Sequence, residues 1–136
     1  MPLTYKAANK FLDHLVGTTL ISDRSLNVHI GLSSTAPNRD GSGYTEPDVS
    51  TGYARVGIGM NTNFQCMEKA KNGSATNDST IFFPEASANW GELTYYLLFD
   101  AKDGDLLAYG PLDDPISPEK GKVPIIRAGN LTMTMR

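Results

Sequence analysis

The stretch NWGELTYYLLFDAKDGDLLAYGPL, residues 89–112, decides the fold. It holds the only tryptophan, two hydrophobic runs and a charged turn around Gly104. In the first run Leu93, Tyr95, Leu97 and Phe99 alternate with other residues and are expected on one face of a strand. The second run pairs back across AKDGD, where Asp-Gly is a strong hairpin signal. Tyr96 and Leu98 point the other way, so the strand is apolar on both faces and must be covered on both. The cover is either the N-terminal helix or a neighbouring subunit. Trp90 is expected to be buried beside this strand.

Outward from the hairpin, the chain divides into one helix and a β-rich remainder. Ala7, Ala8, Phe11, Leu12, Leu15 and Val16 form a single stripe at helical spacing. Thr4 is placed to cap that helix and Gly17 to stop it. LNVHIGLS alternates, with Val28, Ile30 and Leu32 on one side. GYARVGIGM reads as a Gly-rich strand, STIFFPEA as a short one ended by Pro84, and KVPIIRAG and NLTMTMR as the last two. About seven strands with turn signals between them predict an antiparallel β-sandwich or jelly-roll-like domain. The expected organisation is one domain over residues 1–136, with the helix in 1–17 and the sandwich in 18–136. Three segments read as loops: residues 34–52, 68–79 and 112–122.

Composition narrows the function classes. The chain has 136 residues, 40% hydrophobic and 20% charged, with net charge −3. That describes a globular domain able to bury a core, and the scattered Lys and Arg argue against nucleic-acid binding. The single Cys66 rules out an internal disulfide framework and reads as a packing residue. The N-terminus has no apolar core of about 7–15 residues and carries charges throughout, unlike a signal peptide, and no run is long enough for a membrane span, so synthesis in the cytoplasm without membrane insertion is expected.

Catalytic patterns are sparse. His14 and His29 are the only histidines, and no nucleophile motif surrounds either. Glu46, Asp48, Glu85 and Glu92 are the carboxylates a glycosidase reading would need to pair across a cleft. No cofactor is expected. Asp100, Asp103 and Asp105 around Gly104 leave calcium as a minor reading, without EF-hand spacing. Asn72, Asn77 and Asn130 head glycosylation-like triplets that read as chance matches. Tyr44, Tyr53, Trp90, Tyr95, Tyr96 and Tyr109 could form a sugar platform, but core packing is the simpler reading for most of them.

The ordered landmarks NKFLDHLVGTT, VHIGLSSTAPNRDGSGYTE, GYARV, IFFPEASANWGELTYYLLFDA, GDLLAYGPL and AGNLTMTM span nearly the whole chain. In that order they resemble a family of small tailed-bacteriophage proteins often described as tail-fibre-like. The resemblance implies a virion structural role without catalysis and transfers no catalytic residues. It makes the expected protein a non-enzymatic component of the particle exterior, made in the host bacterial cytoplasm. A single compact domain without long coiled repeats leans towards capsid decoration. The alternative is a tail-fibre adhesin contacting a host surface glycan through residues 35–52. Partners are expected to be major capsid or tail proteins, with self-association as a trimer. The structural and interface candidates are Phe11, Leu12, Leu15, Trp90, Tyr96 and Leu98.

Overall fold

The computed structural model describes residues 3–17, 28–58 and 71–134. One helix, α1 (Tyr5–Val16), precedes eight strands among these residues: β1 (Val28–Ser33), β2 (Val56–Gly57), β3 (Ser74–Thr76), β4 (Ile81–Phe82), β5 (Leu93–Asp100), β6 (Leu106–Ile116), β7 (Ile125–Ile126) and β8 (Thr132–Thr134). All pairings are antiparallel. A four-stranded sheet runs β2-β1-β5-β6, and two ribbons, β3-β8 and β4-β7, lie beside it. The protein is mainly β and sandwich-like, as its alternating runs predict.

The helix ends where the sequence says it should. The Thr4 hydroxyl accepts a hydrogen bond from Ala7 N at 3.3 Å, which satisfies one of the first turn's unpaired donors. Gly17 takes φ +79°, a left-handed conformation that costs glycine little, and its N–H closes on His14 O.

The core lies between the four-stranded sheet and the ribbons. Ile30, Leu32, Tyr96 and Leu98 from the sheet meet Ile81, Ile126 and Leu131 from the ribbon side. Trp90 is buried there, edge-on to Tyr53 with ring centres 5.3 Å apart, and its indole N–H reaches Thr51 O at 2.9 Å. A fully buried indole without that acceptor would leave a donor unpaired at considerable cost.

One expected alternation fails. Leu93 belongs with Tyr96 and Leu98, whereas Leu97 and Phe99 form a second cluster on the opposite face with Leu106 and Tyr109. Tyr95 is only half-buried. The cause is a register shift: Leu93 opposes Ile116, but Tyr95 already opposes Pro111. Residues 112–115 of β6 therefore swing out against Thr94 alone, and the two-residue period breaks at that point.

Two predicted loops contain strand. Residues 74–76 pair with β8 inside the 68–79 segment, and β6 continues through Leu112–Ile116 inside the 112–122 segment. Both faces of β5 are covered from within the chain. The second face receives Tyr44, whose ring meets Phe99 edge-on at 5.5 Å. The open edge of β6 is closed by the N-terminal segment, where Leu3 bridges Ala108 and Thr4 N donates to Leu107 O at 2.8 Å. Cys66, Asn27, Met135 and Arg136 lie outside the described residues.

Candidate functional site

Among the described residues charged side chains gather in two places, and in both they fasten one part of the chain to another. The first is the β5–β6 turn. The Asp100 carboxylate accepts the Lys102 N–H at 3.0 Å, and Gly104, at φ +76°, donates its N–H to Asp100 O. This geometry aims Asp100, Asp103 and Asp105 at one point. Lys10 Nζ occupies that point, 3.0 Å from Asp100 Oδ2, 3.2 Å from Asp103 Oδ2 and 3.7 Å from Asp105 Oδ2. Lys6, one helical turn earlier, reaches Asp105 Oδ1 at 3.0 Å. Burial pushes the Lys10 pKa down, but its hydrogen bonds to Asp100 and Asp103 and their negative charge outweigh that and hold it above the ordinary 10.5. The carboxylates considered for calcium thus surround a lysine ammonium that belongs to α1.

The second cluster pins the long segment between β1 and β2. Arg55 makes a forked contact with Glu46, Nε to Oε2 at 3.0 Å and a terminal nitrogen to Oε1 at 2.7 Å. Its guanidinium lies 3.4 Å from the centre of the Phe99 ring. The Tyr53 hydroxyl donates to Glu46 and accepts the Leu32 N–H at 3.0 Å. Burial first, and the Glu46 bond second, push the Tyr53 phenol well above its ordinary value, so it stays a donor. The Glu46 bond likewise raises Arg55. Gly31 makes this assembly possible: a Cβ there would meet the Tyr53 hydroxyl at 2.6 Å. Ser33, which alternation places opposite Val28, Ile30 and Leu32, is buried as well. Its hydroxyl donates to Thr35 O and accepts the N–H groups of Thr35 and Thr45, which holds the loop's start against β1.

The four carboxylates considered for glycoside chemistry have separate environments. Glu46 is held by Arg55 and Tyr53. Asp48 caps the short 3-10 turn Val49–Thr51 through the Ser50 N–H, which keeps its carboxyl below its ordinary value. Glu85 and Glu92 are exposed. Among the described residues no group of three His, Cys, Asp or Glu is placed to hold a metal ion.

The six interface candidates separate. Trp90, Tyr96 and Leu98 are in the core, and Phe11 is half-buried. Leu12 and Leu15 face outward, 56% and 78% exposed, beside Val16 at 67%. Only Ala7 of the helical stripe is fully buried. The helix is therefore bolted at its N-terminal half and projects an apolar C-terminal half.

Sequence reasoning missed Asn77, which it set aside as a chance triplet. This side chain is 1% exposed and uses its whole hydrogen-bonding capacity. It donates to Ser79 O and Arg127 O and accepts from Gly129 N and Leu131 N, all between 2.9 and 3.1 Å. It ties the β3–β4 link to the β7–β8 turn. The Asn-Asp-Ser context carries no signal for this; the nearest hint is the turn-forming Ala-Gly-Asn at 128–130.

A sandwich-like module whose charged clusters secure its own helix and loop fits the class of structural proteins. The chain belongs to the family described as "Podophage GP4 fiber I protein gp80", whose sequence pattern matches residues 2–134. It is a small phage structural protein of the fibre-like kind and a component of the virion. No curated protein matches the chain.

Proposed function

We propose that the chain is a non-enzymatic module of the virion fibre that works as a homo-oligomer, a trimer, assembled through the C-terminal half of α1. The carrying observation is the exposure of Leu12, Leu15 and Val16 on a helix whose other end is fixed by ion pairs, a cap and an edge bridge. An isolated apolar side chain on a surface needs no explanation, but three on one exposed helical stretch of a rigidly held helix favour a partner surface. The sequence alone leans towards capsid decoration; the family description names a fibre and favours that location.

Sedimentation at tens of micromolar tests the assembly. The wild-type chain is expected to run as a trimer with a melting temperature that rises with concentration, and Leu12→Asp with Leu15→Asp to run as a folded monomer. A monomeric wild type with a concentration-independent melting temperature overturns self-association. Antibody labelling of particles in the electron microscope tests the location: label on fibres supports the proposal, and label over the head returns the decoration reading.

A further inference from the structure

The β6 bulge builds a second outward surface. Residues 112–115 leave the β5 ladder and lie beside the end of β7. An open cleft of about 160 Å³ separates them, with Leu112, Ile116 and Ile125 as an apolar floor and Asp113, Asp114 and Arg127 on its rim. That space equals roughly five waters of liquid, enough for one long side chain. The apolar floor extends outward: Phe82 is the cross-strand partner of Ile125 and is 63% exposed. Directly opposed residues of an antiparallel pair share a face.

The rim charge is the informative part. Asp100, Asp103, Asp105 and Glu46 are each within ion-pair distance of a lysine or arginine of the chain. Asp113 and Asp114, side by side over an apolar floor, have no ion pair among the described residues. The Asp113 charge is felt inside the protein, where burial first and that charge second push the Tyr96 phenol up to about 12.

We propose that this cleft docks a segment of another virion protein in which an apolar side chain adjoins a lysine or arginine. The apolar group, or the aliphatic stem of the cation, lies on Leu112, Ile116 and Ile125, and the cationic head meets Asp113 and Asp114. Arg127 on the rim fixes the direction, because it repels a cation on its own side. A second copy of this chain is a poor occupant by way of α1. Lys6 and Lys10 are committed to the hairpin turn, which leaves the exposed Leu12, Leu15 and Val16 face without a lysine or arginine to offer. The surface is separate from the α1 contact and does not rest on it.

The test is a titration of the full, isotope-labelled chain followed by amide chemical shifts. The probes are a capped peptide of alternating leucine and lysine, the same peptide with glutamate for lysine, and a neutral oligosaccharide. The lysine peptide is expected to move resonances of residues 112–116 and 125–130, with affinity falling as salt rises. The exposed pair Asp113→Asn with Asp114→Asn should weaken it about fivefold or more, at the scale of two solvent-accessible ion pairs. Phe82→Ser should weaken it without changing its salt dependence, and serves alone if the double variant does not fold. The proposal fails if millimolar lysine peptide moves nothing, moves residues elsewhere, or acts no better than the glutamate peptide. Shifts at the same residues with the oligosaccharide overturn it in favour of a glycan site. Leu12→Asp with Leu15→Asp should leave the titration unchanged, so failure here and failure of α1-mediated assembly are read separately.

Discussion

Replacing Lys10 by methionine removes the ammonium at the centre of the hairpin turn while keeping the aliphatic length of the side chain. The cost can be worked from exposure. The Asp100 side chain is 5% exposed, so its charge is poorly solvated, whereas Asp103 is 50% exposed and its share is small. Breaking a fully buried ion pair costs about 3–5 kcal/mol, and an exposed one about 0.2–1 kcal/mol. Lys10 is itself 30% exposed, and Asp100 keeps the Lys102 N–H. An intermediate loss of roughly 2 kcal/mol follows. At a urea dependence near 2 kcal/mol per molar, the denaturation midpoint should fall by about 1 M. A second signature separates electrostatics from packing: Lys10→Met and Asp100→Asn together should cost less than the sum of the two alone, because each removes the same pair. An unchanged midpoint in Lys10→Met, or fully additive losses in the double variant, would refute the clasp.

Asn77→Ala should be costly, because it removes the acceptor of the buried Leu131 N–H and the donor to Ser79 O, while Gly129 N–H and Arg127 O each keep a backbone partner. At about 1–3 kcal/mol for a stranded donor that water cannot reach, a loss of roughly 2 kcal/mol is expected in equilibrium denaturation, and a loss under about 0.5 kcal/mol would contradict the network. Alkaline pH should destabilise the protein through Tyr96 and Lys10 together. Both have raised values in the fold, so their contribution is complete below pH 10 and is lost as pH rises towards and past 12. For Tyr96, the step from 10.0 to about 12 is worth roughly 3 kcal/mol. A melting temperature that stays level from pH 9 to pH 11.5 would contradict this.

What could be read in the sequence was what is local. Thr4 and Gly17 bracket α1 because cap and stop act within one turn of the helix, and Asp103-Gly104 declares the hairpin because only the turn's own residues must satisfy it. The β5 face assignment failed at Leu93 because a bulge in the partner strand, around residues 112–115, changed the register, and a strand's own alternation carries no record of its partner's irregularities. The charged clusters were opaque for a related reason. Lys10 and Asp100 are 90 residues apart in sequence, so nothing local to either position records the pairing. Had Lys6 and Lys10 been weighed as a pair one turn apart, and set against a tip with three aspartates, the pairing could have been suspected. Asn77 offered nothing comparable, since its four partners are backbone groups and backbone groups have no sequence identity.

The placement of these features along β6 bears on how the module could serve a fibre. The helix is bolted where β6 begins: Thr4 binds the carbonyls of Leu106 and Leu107, and Leu3 bridges Ala108. The cleft opens where β6 ends, at Leu112–Ile116. At about 3.3 Å per residue, the positions from Leu107 to Asp114 span roughly 20 Å, which is wider than a helix with its side chains. Two partners could therefore occupy the two ends without touching. Between them β5 is buried on both faces and the Arg55–Glu46 pair lies over Phe99, while the Lys10 clasp closes the turn at the helix end. On the reading proposed above, the ion pairs hold helix and loop to the sheet, and the apolar groups of α1 and of the cleft are available to separate neighbours.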